Sequence, residues 1–496
     1  MRPLPIAIIG YATRLPRTTD ARFWDDLRAG RSLLSTVAPD RWPQSAFWHP
    51  ERTHPGTSVS FAAGSLGDVS GFDAGFFRIS PREAAAMDPQ QRILLELAWE
   101  ALDRASLRPR RLRGSPTGVF LGLSSTDYAY RSADDLACLG PNSATGTTAS
   151  IAANRLSYVF DWHGPSFVVD TACSSGMVAF HQACHSLTLG ECDLALAGAI
   201  SLHLHPYGFL IFSKASMLSP RGLSQPFQAG ADGYVRSEGA GFFVLKPLAQ
   251  ARRDGDPILA VVAATGNNTD GYKSGITVPR AEAQAALLNR VYTSAGLDPS
   301  HLHYVEAHGT GTAVGDPIEL EAVGRALTRG RQTPLPVGSV KSNLGHLETA
   351  SAVPGLLKAI YCLQRRELPP TIGITEINPQ LPLDRYPLDI VRELRPLPER
   401  GTLHIGVNSF GFGGANAHAL LQSPPRWRTT RAALQNIPSA SGPRPLLLTA
   451  ADTAALRAMA AELIPFRPRF RARFRARPLP DPISSRAPCA AHNALV

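Results

Sequence analysis

No run of 18 consecutive apolar residues occurs in this chain of 496 residues, so a membrane-spanning helix is not expected. Its six cysteines (138, 173, 184, 192, 362 and 489) have no framework spacing, which fits free thiols in a reducing cytoplasm. Met1-Arg2-Pro3-Leu4-Pro5 runs at once into the strand-like Ile6-Ala7-Ile8-Ile9-Gly10, with no signal peptide before it. Gly309-Thr310-Gly311-Thr312 lacks the lysine of a phosphate loop. Gly411-Phe412-Gly413-Gly414 is not at the start of the chain's first βαβ unit, so no nucleotide site is read. His181 and His185 have the i, i+4 spacing of a helical metal pair. No Glu follows His181 and no third ligand suggests itself, so they read as a helix surface or dimer contact. His203 and His205 read as structural residues on one side of a strand, and no metal site is expected.

A hydrophobic fraction of 44% is ample for a large core. The net charge of +10 is unevenly spread. Arg467, Arg469, Arg471, Arg473, Arg475 and Arg477 alternate through one short tail, and the mildly basic remainder argues against nucleic acid as a partner.

Strand-like and helix-like stretches alternate throughout, which predicts an α/β class with buried parallel strands. Gly118–Leu123 and Leu194–Ile200 read as buried strands. A long helix is predicted from about Pro81 to Ala105, with Pro89 tolerable only at a bend or break. A second series runs from near Ile258–Val262 to near Gly406–Asn408. Two successive series suggest a duplicated architecture, although no sequence repeat is visible.

The chemistry concentrates around Asp170-Thr171-Ala172-Cys173-Ser174-Ser175-Gly176, between an apolar strand-like run and a helical one. A cysteine at such a turn meets unpaired backbone N–H groups and the positive end of a helix dipole, a setting that predicts a lowered thiol pKa. His308 follows in Glu306-Ala307-His308-Gly309-Thr310-Gly311-Thr312, ahead of Gly315-Asp316-Pro317. His346 follows in Lys341-Ser342-Asn343-Leu344-Gly345-His346-Leu347-Glu348. The run Asn408-Ser409-Phe410-Gly411-Phe412-Gly413-Gly414-Ala415-Asn416 has the glycine content for close backbone approach to a ligand. One Cys, two His and a glycine-rich donor loop, each at an element end, form a covalent-catalysis set.

These runs, with Phe72–Phe77, Ser80–Ala84, Met87–Arg92, Asn154–Tyr158 and Asp232–Gly239, resemble the β-ketoacyl synthase (ketosynthase) domain of type I modular polyketide synthases, from about Pro5 to about Leu421. The resemblance implies the thiolase-like fold, two similar halves in a five-layer αβαβα arrangement. It divides the chain into 1–250 and 251–421, and implies a dimer through the strand before the nucleophile. In that picture Cys173 and His346 occupy related helix-start positions. It further implies that Cys173 accepts an acyl chain from acyl carrier protein and condenses it with a malonyl-type extender. His308 and His346 would stabilise the enolate, the N–H groups of Cys173 and Phe412 the tetrahedral oxyanion. Lys341 would orient the site, Asn416 would shape its loop, and Thr310 and Thr312 would bind the pantetheine arm. No cofactor is bound by the chain itself; phosphopantetheine arrives on the carrier. Other polyketide synthase chains would supply acyltransferase and carrier, and the enzyme would be a cytoplasmic acyltransferase of the 3-oxoacyl-[acyl-carrier-protein] synthase type.

Beyond Leu421 the resemblance implies the start of a ketosynthase-to-acyltransferase linker over 422–463. The Arg/Pro-rich 464–496 reads as a disordered tail of a truncated or frame-shifted module. Several residues depart from the family pattern. Ala352 stands where many relatives have glycine, and Pro354 where they have alanine, removing a donor from a catalytic helix unless it falls within the first turn. Ser237 replaces a glycine and Gly176 a serine, neither expected to touch the chemistry. Cys173 is not replaced by Gln, which argues against a decarboxylase-only or chain-length-factor role. Met217, Phe209 and Ile211 are candidate pocket residues. Two other readings stay open: a truncated non-catalytic docking remnant, and a thiolase-type enzyme using coenzyme A esters, for which Cys362 and Cys489 lack the surroundings of a second catalytic cysteine.

Overall fold

The computed structural model describes residues 3–425 and the short stretches 447–450, 453, 455–457, 460, 475–476 and 492–495. Two compact units result, Met1–Phe72 with Ser80–Pro425, and Asp73–Ile79 with Arg426–Val496.

The first unit is built on eleven strands: β1 (Ile6–Arg14), β2 (Thr117–Gly122), β3 (Ser166–Val169), β4 (Leu194–Ser201), β5 (Gly239–Pro247), β6 (Ala260–Thr269), β7 (Tyr304–Glu306), β8 (Leu335–Gly338), β9 (Leu388–Ile390), β10 (His404–Phe410) and β11 (Ala415–Gln422). Their spatial order is β9-β8-β7-β10-β11-β6-β1-β5-β4-β2-β3. Outward from the β1–β6 contact, the first half runs first, fifth, fourth, second, third strand. The second half runs β6-β11-β10-β7-β8, which is the same order once β9, an extra strand paired parallel outside β8, is set apart. The pairing senses also match: antiparallel twice, then parallel twice, in each half. The duplication therefore lies in topology. Parallel pairing is confined to the outer strands of each half, so the expected buried parallel strands are present within a mixed sheet.

Helices complete five layers. They are α1 (Pro81–Ala86), α2 (Pro89–Arg104), α3 (Ala149–Phe160), α4 (Ser175–Leu189), α5 (Ala281–Ala295), α6 (Gly315–Leu327), α7 (Lys341–Leu344) and α8 (Ala352–Arg365). Helices α2 and α3 cover the outer face of the first half, and α5, itself packed on α6, covers that of the second. Helices α4 and α8 touch strands of both halves and form the middle layer. Apolar side chains of both central helices, among them Phe180, Leu187, Leu356 and Ile360, join one core with strand residues of the two halves. The close approach is visible at Gly122, where a Cβ would lie 2.7 Å from the backbone nitrogen of Gly176.

The helix predicted over Pro81–Ala105 is two helices. Met87 and Asp88 are extended, ψ 134° and 129°, because the residue before a proline is driven out of the helical region. Asp88 then caps α2, its carboxylate accepting from Gln90 N–H. His203 and His205 lie beyond the end of β4 instead of within a strand.

In the second unit, Leu447–Ala450, His492–Leu495 and Arg475–Ala476 pair antiparallel. Arg475–Ala476 and His492–Leu495 fall within 464–496; most of the linker and tail readings, 422–463 and 464–496, and all of Cys489, lie outside the described residues.

Candidate active site

Cys173 sits in the connection from β3 to α4. Ala172 before it has φ 54°, a left-handed conformation costing a non-glycine residue about 1 kcal/mol. Local hydrogen bonds hold this elbow. Ala172 N–H donates to Asp170 (2.9 Å), Thr171 N–H to Ser175 Oγ (2.8 Å), and Ser175 Oγ–H to the Ala172 carbonyl (2.6 Å). The Cys173 carbonyl accepts from Ser351 and Ser409, both residues of the second half.

The glycine loop closes on this turn. Gly411 N–H donates to the Ala415 carbonyl (2.7 Å), and a Cβ at Gly411 would lie 2.5 Å from the Thr171 carbonyl oxygen. This approach brings the Phe412 backbone N–H to the Cys173 sulfur. The expected lowering of the thiol pKa is not found. Burial pushes the thiol up to about 12, and the nearby Glu348 carboxylate adds to this; the Phe412 N–H, Lys341 and the Cys173 N–H act in the opposite direction without prevailing.

His308 leaves the end of β7, in a turn fastened by Glu319 of α6. That carboxylate accepts from His308 N–H (2.7 Å), Gly309 N–H (2.8 Å) and Asn408 Nδ2 (2.8 Å). Asp316 likewise accepts from Thr310, Gly311 and Phe227 N–H. Neither carboxylate was singled out as a site residue from the sequence; the acidic start of the helical run after Gly315 was the available signal.

His346 lies between α7 and α8, separated from α8 by the turn Glu348–Ala350. It is therefore not at a helix start as Cys173 is. Its backbone is clamped on both sides: His346 N–H donates to the Val235 carbonyl (2.8 Å), and Ser237 N–H to the His346 carbonyl (2.9 Å). Ser237 Oγ also bridges, accepting from Gly64 N–H (3.1 Å) and donating to the Leu344 carbonyl (2.5 Å), so Ser237 braces the backbone leading into His346. Glu348 N–H donates to His346 Nδ1 (3.1 Å), which places the proton of the neutral ring on Nε2.

The rings of His308 and His346 meet edge to face, with centroids 5.3 Å apart. Burial, then the charge of buried Lys341, holds His308 well below its ordinary pKa. The same two causes bring His346 down to about 3. Both imidazoles are neutral at pH 7.

A cavity of about 370 Å³ brings together Cys173, His308, His346, Thr310, Thr312, Phe412 and Asn416. Lys341 acts from behind its wall. The hydroxyls of Thr310 and Thr312 are 3.2 Å apart, and Thr312 also accepts from Gly315 N–H. Asn416 is anchored by its Nδ2 to Asp270 (2.7 Å) and Asn268 (3.2 Å). Of the three candidate pocket residues only Met217 lines the cavity; Phe209 is buried against Arg236, and Ile211 is exposed elsewhere.

The departures have physical accounts. Pro354 is the third residue of α8, within the first turn, where the helix asks for no backbone donor. Gly176 has its missing Cβ 3.0 Å from Ala199 Cβ and 3.1 Å from the Thr349 carbonyl, so a serine does not fit without movement. His181 is not a free surface residue: its Nδ1 lies 2.7 Å from Thr265 Oγ1, across the two halves. Among the described residues no group of three or more His, Cys, Asp or Glu could hold a metal ion, and no helix is long and apolar enough to cross a membrane.

Comparison with known proteins places these features in a family. The model "Beta-ketoacyl synthase, N-terminal domain" matches residues 4–251, "Beta-ketoacyl synthase, C-terminal domain" residues 259–375, and "Ketoacyl-synthetase C-terminal extension" residues 378–469. The chain is 45% identical over 423 residues to one of the phenolphthiocerol/phthiocerol polyketide synthase proteins of Mycobacterium tuberculosis, covering 84% of this chain and 22% of that one. It is 42% identical over 464 residues to another phenolphthiocerol/phthiocerol polyketide synthase protein, from Mycobacterium bovis, covering 92% and 25%. The chain thus spans about a quarter of the length of these curated relatives. Among solved structures, an oxazolomycin ketosynthase domain of Streptomyces albus JA3453 superposes with TM-score 0.86 at 37% identity, covering 93% of this chain and 80% of that one. The ketosynthase from module 6 of the bacillaene synthase of Bacillus subtilis 168 superposes with TM-score 0.82 at 34% identity, covering 93% and 77%.

Proposed function

The chain belongs to the β-ketoacyl synthase family, and from that premise we propose that it catalyses decarboxylative Claisen condensation as the ketosynthase of a polyketide synthase. The observation that carries this reading is the single cavity in which Cys173, two neutral imidazoles and the Phe412 N–H converge.

The reaction begins with an acyl thioester on the phosphopantetheine arm of acyl carrier protein, threaded past Thr310 and Thr312. Because the thiol rests at about 12, its proton leaves to the neutral imidazole of His308, whose Nδ1 has no hydrogen-bond partner among the described residues, as sulfur attacks the thioester carbon. The tetrahedral oxygen is held by the N–H groups of Cys173 and Phe412. The arm then departs as a thiol, taking the proton. A malonyl-type thioester enters next. Its carboxylate leaves as carbon dioxide, and the electron pair passes to an enolate oxygen that accepts hydrogen bonds from His308 and from His346 Nε2–H. Neutral donors suffice, because the enolate is stabilised by preorganised dipoles out of bulk water. The enolate carbon attacks the Cys173 thioester, a carbon–carbon bond forms, and the Cys173 sulfur leaves as thiolate and takes up one proton from water. Lys341 adds to burial in keeping both imidazoles neutral, and Asn416 fixes the loop that presents Phe412.

The finer assignment is the 3-oxoacyl-[acyl-carrier-protein] synthase type, working in the cytoplasm with other synthase chains that supply acyltransferase and carrier. A homodimer through β3 is supported by its place at the sheet's free edge, with Phe167 partly exposed. A thiolase-type reaction is disfavoured, since Cys362 is fully buried in α8, away from the cavity. A docking remnant is disfavoured by the intact convergence of the site. Intact-protein mass spectrometry after incubation with acyl-loaded carrier protein tests the proposal. Acyl mass should appear on wild type and not on Cys173→Ala, and should leave as β-ketoacyl product when malonyl carrier is added. No acylation of wild type by any carrier tried would overturn it.

A further inference from the structure

Glu348 has φ 49°, a left-handed backbone that a residue with a Cβ adopts only under constraint. Its N–H donates to His346 Nδ1 at 3.1 Å, and φ sets the angle between that N–H and the Glu348 side chain. The constraint is visible at the other end of the residue. The Arg236 guanidinium grips the Glu348 carboxylate through Nε (2.6 Å) and Nη2 (2.7 Å), in a bidentate pair of which Arg236 is almost fully buried. His203 Nε2 stands 3.7 Å from the same carboxylate.

Arg236 is itself confined. Its guanidinium lies over the rings of Phe209 (4.6 Å) and Phe212 (5.3 Å) of the helix Tyr207–Lys214. It occupies the space that a Cβ at Gly208 would take. Its backbone runs beside His346, between the Val235 and Ser237 clamps. Phe209, Arg236, Glu348 and His346 form one continuous chain of contacts, and Glu348 is the only link in it with a strained backbone.

We propose that the Arg236–Glu348 ion pair is a positioning device: it holds Glu348 in the left-handed conformation that keeps His346 in the Nε2–H tautomer, facing the cavity. Both are positioning residues that act through His346. The tautomer claim stands on geometry alone, whereas its effect on turnover rests on the condensing reading above.

The test uses the full chain, labelled with ¹⁵N at histidine, with His346→Gln to assign the signal. Wild type should show a single Nε2–H tautomer for His346. Glu348→Ala and Glu348→Gly both remove the carboxylate and leave Arg236 equally unpaired, but only glycine takes φ 49° without cost. Alanine should therefore mix the tautomers, and glycine should restore much of the wild-type signal. Gly208→Ala moves the guanidinium without touching Glu348 or His346, in a helix where alanine is otherwise favoured.

Decarboxylation of a malonyl thioester should fall about tenfold in Glu348→Ala and Gly208→Ala, while Cys173 acylation should not fall in parallel, because its oxyanion is held by the Cys173 and Phe412 N–H groups and loss of the Glu348 charge lowers the thiol pKa. An unchanged His346 tautomer in both variants overturns the proposal, as does equal loss of acylation and decarboxylation. A tautomer shift in a chain whose wild type decarboxylates nothing supports the positioning device and counts against the condensing reading alone.

Discussion

Ser351 and Cys173, 178 positions apart, are joined by a 2.8 Å hydrogen bond in which the hydroxyl donates to the carbonyl of the nucleophile itself. Ser409 donates to the same oxygen at 3.0 Å. The elbow of the first half is thus pinned by hydroxyls from the start of α8 and the end of β10. Either serine alone still satisfies the carbonyl, so Ser351→Ala or Ser409→Ala should each cost about 1 kcal/mol. The double variant leaves the carbonyl unpaired and should cost more than the sum of the singles. Denaturant unfolding of the three variants checks this; strict additivity would mean that the two hydroxyls do not share the carbonyl.

The resting thiol predicts an unusual alkylation profile. With Cys173 held near 12, the thiolate fraction rises about tenfold per pH unit across the whole range below that value. Inactivation by iodoacetamide should climb steadily from pH 6 to 10 without a plateau near neutrality. The sign of each neighbour follows. Glu348 raises the thiol, so Glu348→Gln should speed alkylation; Lys341 lowers it, so Lys341→Met should slow it. A plateau in wild type around pH 7 would refute the raised thiol.

The imidazoles bear on the acid side. His346 is held near 3 and His308 well below its ordinary value, so both stay neutral as pH falls through 6.5. Malonyl decarboxylation should therefore show no acid limb around pH 6.5. In Lys341→Met the depressing charge is gone, both imidazoles protonate at higher pH, and an acid limb should move toward neutrality. Decarboxylation measured against pH in the two proteins decides this; coincident profiles would remove Lys341 from the role.

The chemistry was legible in the sequence because it sits in short runs. Cys173, His308, His346 and Phe412 each stand at an element end in a glycine- or threonine-rich turn, and the chain brings all four to one cavity. What was not legible depends on groups far apart in sequence. The thiol pKa is set by burial and by Glu348, 175 positions on, which outweigh the local N–H groups. The role of Ser237 depends on Gly64 and Leu344 lying on either side of it. The duplication was legible only as two successive strand-and-helix series, because the two halves share strand order and pairing sense and not visible sequence. The split at Met87–Asp88 was readable from Pro89, whose effect on the preceding residue is local.

Pro354 gives a prediction of little change. As the third residue of α8 it removes no helical hydrogen bond, so Pro354→Ala should leave acylation and decarboxylation unaltered. The unfolded chain gains freedom, which should lower stability by less than about 1 kcal/mol. A large gain in activity would show that proline distorts the segment between His346 and α8.

Gly411 and Gly413 separate space from flexibility within one loop. Neither has a left-handed backbone, so alanine is conformationally acceptable at both. At Gly413 a Cβ would meet nothing within 4 Å; at Gly411 it would lie 2.5 Å from the Thr171 carbonyl and 3.1 Å from Ser174 Oγ. Gly411→Ala must therefore push the loop away from the Cys173 elbow and carry the Phe412 N–H with it. Acylation by a thioester should fall about 10²-fold, the usual consequence of losing one oxyanion donor, while Gly413→Ala stays at the wild-type rate. Alkylation by iodoacetamide forms no oxyanion, so Gly411→Ala should affect it far less than acylation. Acylation and alkylation rates of the two variants provide the check. Equal losses in both reactions would mean that Gly411→Ala blocks access to the sulfur and does not remove the Phe412 donor.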